Sequence, residues 1–389
     1  MRRFFIALTT TIALCASWSV SAGADVLTEA ELAQLPQDRR GQVLIYGAYG
    51  FTGTGISRLA AEYGIRPVLA GRNPQKLRAL AEEVGYPHIS LTLDDHARLV
   101  AVLQRFELVM HIAGPYTFTA EPMLNAAVEA GTHYVDLTGE NHVIQAQLDR
   151  HEEFARAGIM VMPAVGFDVV PTDCLNLYVA QQVPDAVRLE LLMNGEYTAV
   201  EGAQVSRGTV KSGLELFSRP TLMRIDGEMV EVAQPKVIQR EIDGETRTLV
   251  QIQWADMVTS WVSAGVPTIE VYQQQTADLP GWVFWLVKRE WGKNLLVWMV
   301  DNFMPEGPPP RAQEERRTQL IATAENAAGV RFSAEMITPE PYRLTFHSSL
   351  MVARRILDGQ WAPGFQTPAK MYGPELALQI PGVTRRDLP

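Results

Sequence analysis

The sequence predicts an α/β chain: a doubly wound parallel sheet, then a second α+β domain containing a mostly antiparallel sheet. Three observations carry that expectation. Between Gln42 and Pro163, short apolar runs alternate with helix-period segments across brief loops, the pattern of parallel strands joined by crossover helices. A glycine-rich turn follows the first apolar run at once. Beyond Asp173 the alternation stops, and alternating runs separated by a turn take over.

Each element follows from its residues. Gln42 to Tyr46 (QVLIY) is apolar enough for a buried parallel strand. A helix is expected from Gly55 to Tyr63, with Ile56, Leu59 and Ala60 on one side and Gly64 stopping it. Arg66 to Ala70 reads as the second strand, closed by Gly71-Arg72-Asn73-Pro74. Pro74 suits the first turn of a helix running to about Val84. Strands at Ile89 to Leu93, Leu108 to Ile112, Tyr134 to Leu137 and Ile159 to Pro163 continue the series. Helices from Asp95 to Gln104, up to Gly131 and up to Ala157 lie between them. In the second half, Val187 to Met193 and Val330 to Met336 read as strands, the latter alternating Val330, Phe332, Ala334 and Met336. Asn326-Ala327-Ala328-Gly329 supplies a hairpin turn before it. Closing helices around Leu344 to Leu357 and Pro374 to Ile380 are expected to return to the first domain. The expected division is a signal-like segment at 1–24, a sheet domain at 38–170, an α+β domain at 171–340 and C-terminal helices at 341–389.

Composition narrows the function. With 34 basic against 44 acidic side chains the net charge is −10, which argues against nucleic acid, whose binding needs Lys and Arg on phosphates. The two cysteines, Cys15 and Cys174, say nothing of redox compartment once the leader is set aside. No HExxH or cysteine pairing marks a metal site, and no Gly-x-Ser-x-Gly elbow marks a hydrolase.

The start of the chain is a separate matter. Met1-Arg2-Arg3 precedes an apolar run from Phe4 to Val20, and Ala22-x-Ala24 reads as a cleavage site, the pattern of a secretory signal. Arg2-Arg3-Phe4-Phe5-Ile6 resembles the core of a twin-arginine signal. An exported or periplasmic protein is expected on that reading, and a membrane-anchored or cytoplasmic one otherwise. Trp282 to Phe303 is rich in tryptophan, but Lys288, Arg289, Glu290 and Lys293 break it, which argues against a transmembrane span. It reads as a core or interface helix, as in a homodimer, or as an interfacial membrane helix giving peripheral membrane contact. Pro305 to Pro310 reads as a stiff linker.

The glycine loop carries the chemistry. Gly47-Ala48-Tyr49-Gly50-Phe51-Thr52-Gly53 joins a strand to a helix, the setting in which backbone N–H groups and a helix N-terminus grip a pyrophosphate. Gly47 permits the turn, Gly50 clears the phosphates and Gly53 lets the helix pack on a sheet of the Rossmann type. At the end of the second strand an acidic residue would read a ribose 2′-hydroxyl. Gly71 and Arg72 stand there, with Lys76 one turn on, and they suit a 2′-phosphate, hence NADP(H). Gly114, Pro115 and Tyr116 close the fourth strand, facing the nicotinamide half of the crevice.

Tyr134, Asp136 and Glu140, at the end of the fifth strand, are the candidates for catalysis. A tyrosine there could donate a proton and a carboxylate could orient an amine; Asp136 and Glu140 serve equally as caps of the following helix. Asp168, Asp173, Thr209 and Ser212 are candidates for substrate contact, with Asp173 also readable as a helix-start carboxylate.

Together these residues resemble the saccharopine dehydrogenase-like oxidoreductase family, in particular its trans-acting enoyl reductase branch. The resemblance adds the segments His133 to Glu140, Gly166 to Asp173, Ser206-Arg207-Gly208-Thr209, Val266 to Tyr272 and Gly364 to Ala369, and so runs from about residue 41 to the C-terminus. The leader-like segment departs from it. The resemblance implies hydride transfer with NADPH on a substrate held between two domains, without implying saccharopine. The expected substrate is an imine or enoyl compound, small or lipid-linked. The alternative is a non-catalytic protein using NADP(H) as a structural or sensing ligand.

Overall fold

The computed structural model describes residues 38–195, 205–274, 281–309 and 316–389. The leader-like segment, Pro310 and the side chains of Trp282 and Phe284 lie outside them.

Sixteen strands are described: β1 Val43–Tyr46, β2 Val68–Gly71, β3 His88–Ser90, β4 Leu108–His111, β5 His133–Asp136, β6 Met160–Met162, β7 Ala186–Gly195 and β8 Leu222–Ile225. Then come β9 Glu228–Glu231, β10 Val237–Ile242, β11 Glu245–Gln251, β12 Thr268–Gln274, β13 Arg317–Asn326, β14 Arg331–Pro339, β15 Gly364–Phe365 and β16 Thr384–Leu388. The first sheet is ordered β15-β6-β5-β4-β1-β2-β3, and its strands pair in parallel. The order reverses between β1 and β4, which opens a crevice at their carboxyl ends where this architecture binds ligands. All four residues of β1 are buried, as a strand covered by helices on both faces must be.

The helix after β1 begins at Phe51, four residues earlier than its periodicity suggests. It runs to Leu59 and tightens into a 3-10 turn at Ala60–Tyr63. Its first turn therefore belongs to the glycine loop itself. Gly131 ends the helix Tyr116–Ala130 in the left-handed conformation (φ 67°), a geometry that costs glycine least.

The second sheet is mixed, ordered β10-β11-β12-β7-β13-β14-β16, with β8 on β12 and β9 on β8. β7 and β12 are parallel and the other pairs antiparallel. Leu189, Leu191 and Met193 alternate along β7 into a core shared with Val271, Leu320, Ala334 and Met336. The hairpin turn forms at Asn326–Gly329, where the Asn326 carboxamide oxygen accepts from Ala328 N and Val330 N. Val330 itself lies before the strand and is exposed.

The C-terminal stretch is more than a set of helices. Helix Pro341–Leu357 packs on helix Phe51–Leu59, where a Cβ on Gly55 would collide with the Phe346 ring. β15 then adds a seventh strand to the first sheet, and β16 an edge strand to the second. Only Ala377–Gln379 is helical in the stretch Pro374 to Ile380.

The tryptophan-rich stretch divides into helices Gly281–Val287 and Glu290–Phe303. Trp285, Trp291, Leu295, Trp298, Met299 and Phe303 are exposed, so this is no core helix. No helix among the described residues is long and apolar enough to cross a membrane.

Candidate functional site

Two adjoining cavities lie along the crevice. The larger, about 620 Å³, is lined by Gly47, Tyr49, Gly50, Phe51 and Thr52, by Gly71, Arg72 and Lys76, and by Gly114 and Pro115. Local sequence explains its shape. Gly47 turns out of β1 at φ 85°, and a Cβ there would stand 2.8 Å from the Ile112 carbonyl oxygen. A Cβ on Gly50 would stand a tight 3.3 Å from the Gly47 oxygen. A Cβ on Gly71 would meet the Tyr49 ring at 2.6 Å, so this glycine lets the tyrosine lie against the end of β2. The cradle is a bare backbone turn opening a helix, with a guanidinium and an ammonium beyond the second strand. Those groups fit a dinucleotide carrying an extra phosphate.

Residues 43–162 match the saccharopine dehydrogenase NADP-binding domain. NADP(H) is the cofactor of this crevice. The chain is 34% identical over 148 residues to a trans-acting enoyl reductase of Mycobacterium ulcerans, a stretch covering 36% of this chain and 35% of that one. It is 30% identical over 211 residues to a saccharopine dehydrogenase-like oxidoreductase of Mus musculus, covering 46% and 47%. The matched stretches thus span less than half of these relatives. Apo saccharopine dehydrogenase (L-Glu forming) from Saccharomyces cerevisiae shares the fold, with a TM-score of 0.60 and 16% identity over 90% of this chain and all of that one.

Two residues assigned to the cofactor from sequence do not line this cavity. Gly53 faces inward, where a Cβ would collide with the Gly47 carbonyl oxygen; its role is the close packing of helix on loop. Tyr116 is buried, its hydroxyl donating to His111 O at 3.2 Å and accepting from Leu137 N at 3.3 Å. The second domain contributes lining residues that sequence reading missed, among them Arg207, Lys211, Asp301 and Glu306. Their only signal was the family-like segment at Ser206, because charged residues in helices and linkers read as solvated surface.

The three catalytic candidates are placed in supporting roles. Tyr134 is wholly buried and donates to Asp136 Oδ2 at 2.8 Å, with His111 Nδ1 at 3.0 Å from its hydroxyl. Asp136 is equally buried and accepts from Thr138 N and Ala164 N, both at 2.9 Å, and from Gln147 Nε2 at 3.1 Å. Burial raises its pKa, and burial also pushes His111 down to about 3, so the histidine stays neutral. Glu140 accepts from Tyr116 N, Thr117 N and Ser212 Oγ. It caps helix Tyr116–Ala130 and reaches the second domain through Ser212, rather than facing a ligand.

The second cavity, about 360 Å³, lies between the domains, and Thr52 lines both cavities. Leu137, Phe167, Met193, Val205 and Trp254 give it an apolar wall, while Asp168, Thr209 and Glu340 supply polar groups. Asp168 is held from both sides. Trp254 Nε1 donates to its carbonyl at 2.8 Å, and Gly139 leaves room for its carboxylate, since a Cβ there would stand 2.8 Å from Oδ2. Burial pushes the Asp168 carboxyl up to about 6 and that of Glu340 up to about 7. Glu340 Oε2 caps helix Pro341–Leu357 through Arg343 N. Thr209 bonds Tyr342 Oη at 2.8 Å.

Two of the substrate candidates line neither cavity: Ser212, whose hydroxyl donates to Glu140 Oε1 at 3.1 Å, and Asp173. The Asp173 carboxylate accepts from Ser260 Oγ at 3.0 Å and Ser263 Oγ at 2.6 Å inside the second domain. Helix Val170–Gln182 turns it inward, away from the crevice. Among the described residues no group of His, Cys, Asp and Glu is gathered as a metal site.

Proposed function

We propose that the chain is an NADPH-dependent reductase acting on an imine or an activated carbon–carbon double bond, carried on an apolar, small or lipid-linked substrate. One observation carries this reading: Asp168 lines a largely apolar cavity that shares Thr52 with the nucleotide groove. The names of the relatives, enoyl reductase and saccharopine dehydrogenase-like oxidoreductase, support it.

When bound, the nicotinamide supplies a hydride to the electrophilic carbon of the substrate. The chain has to orient that carbon and deliver one proton to the neighbouring nitrogen or carbon. Leu137, Phe167 and Trp254 give the cavity its apolar wall, and Asp168, with its pKa pushed up to about 6 by burial, holds a proton within reach of neutral pH. Donation requires the protonated form, so turnover should fall as pH rises through about 6.

NADPH oxidation followed across pH with a panel of imines and enoyl thioesters tests this. The expected profile has a limb near pH 6 that Asp168→Asn removes. A profile without that limb overturns the role of Asp168. A nucleotide that stays bound and inert to the whole panel overturns the enzyme reading and leaves a non-catalytic NADP(H)-binding protein.

A further inference from the structure

The nucleotide groove holds two lysines, and both are engaged by carboxylates of one short segment of the second domain. Lys211, on helix Arg207–Ser218, is ion-paired with Asp301, and Lys76 lies 3.9 Å from Glu306. All four residues line the groove. That is an unfavourable place for two carboxylates, because phosphates must come to lie against them.

The position of Lys211 along the groove can be read from its neighbours. Ser212, next in sequence, stands against Gly114, where a Cβ would lie 3.4 Å from its hydroxyl. Arg207, one turn before, donates its backbone N–H to Glu306 O at 3.3 Å. The same segment rests on the glycine loop, since a Cβ on Gly307 would collide with the Phe51 ring. Lys211 thus stands beside the glycine loop, the turn on which a pyrophosphate sits, on its side toward Gly114. Lys76 belongs instead with Arg72, beyond the second strand.

We propose that Lys211 is a pyrophosphate-binding residue supplied by the second domain, held by Asp301 until the dinucleotide displaces that carboxylate. Phosphate and carboxylate then compete for one ammonium, and Asp301 lowers the affinity of the whole protein for its cofactor. The pyrophosphate is common to NADPH and NADH, so the residue should not distinguish them.

Dissociation constants of the full chain for NADPH and NADH, read by nucleotide fluorescence, test this without any substrate. Lys211→Gln should weaken both nucleotides alike, by about tenfold, the loss of one charge-assisted hydrogen bond. Asp301→Asn should tighten both. Arg72→Asp, by contrast, should weaken NADPH far more than NADH. Unchanged affinities in Lys211→Gln, or a loss confined to NADPH, overturn the proposal. Should Lys211→Gln fail to fold, Asp301→Asn decides alone, and no gain in affinity for either nucleotide overturns it.

Discussion

The Glu140 carboxylate lies 2.9 Å from the backbone amide of Tyr116, so helix Tyr116–Ala130 takes its N-terminal cap from a residue 24 positions further along. The residue at the cap position is Pro115, which has no side-chain acceptor to offer. Glu140 also accepts from Thr117 N at 2.8 Å.

Glu140→Ala should therefore act on stability. It leaves two amides of a helix start without their acceptor, at a cost of about 1–3 kcal/mol. Urea unfolding of the nucleotide-free protein measures this, and Glu140→Gln, which keeps one carbonyl acceptor, should recover part of the loss. Full stability in Glu140→Ala together with lost turnover would return the residue to the catalytic group.

Gly50 and Gly53, three residues apart in one loop, should fail in different ways. Gly50→Ala places its methyl a tight 3.3 Å from the Gly47 oxygen. It should leave unfolding nearly unchanged and weaken nucleotide binding by an order of magnitude or more. Gly53→Ala drives a methyl into the Gly47 and Ala48 carbonyls, and should destabilise the fold by about 1–3 kcal/mol. Denaturation and nucleotide titration of both variants separate the two effects. Equal behaviour would mean the loop yields more than its packing suggests.

Asp256 predicts a pH dependence. Burial, with the charge of Asp173 adding to it, raises its pKa well above the usual 3.8. A carboxyl raised on folding contributes its stability below its unfolded pKa and loses it as pH rises through the folded value. Asp256→Asn fits the same bonds. Its oxygen can accept from Asn176 Nδ2, and its amide can donate to Thr172 Oγ1, whose own proton reaches Asp168 O or Val169 O. The variant should be more stable than the parent at pH 8, on the order of 1–2 kcal/mol, with the gain vanishing toward pH 4. A gain independent of pH would assign the effect to packing.

The alternation of apolar runs, the glycine loop and Gly71-Arg72 made the first sheet, its crevice and its cofactor legible, because each depends on residues adjacent along the chain. The start of the helix at Phe51 rather than Gly55 shows the limit of periodicity, since a first turn built from Phe51-Thr52-Gly53 carries little apolar repeat. Tyr134 and Asp136 show a deeper limit. Their position at a strand end suggested chemistry, yet β5 is buried along its whole length and a network with His111 and Gln147 holds them.

What the sequence by itself determined is the parallel-sheet domain with its glycine turn and the Gly71-Arg72 end of β2, since these are local features. Tertiary structure alone decided which carboxyls are locked into buried hydrogen-bond networks and which residues of the second domain line the groove. Asp168 owes its raised pKa to burial, and Lys211 reaches the groove only because the second domain folds back over the first. Burial and long-range proximity set proton affinity and charge pairing, and neither is written in the spacing of neighbouring residues.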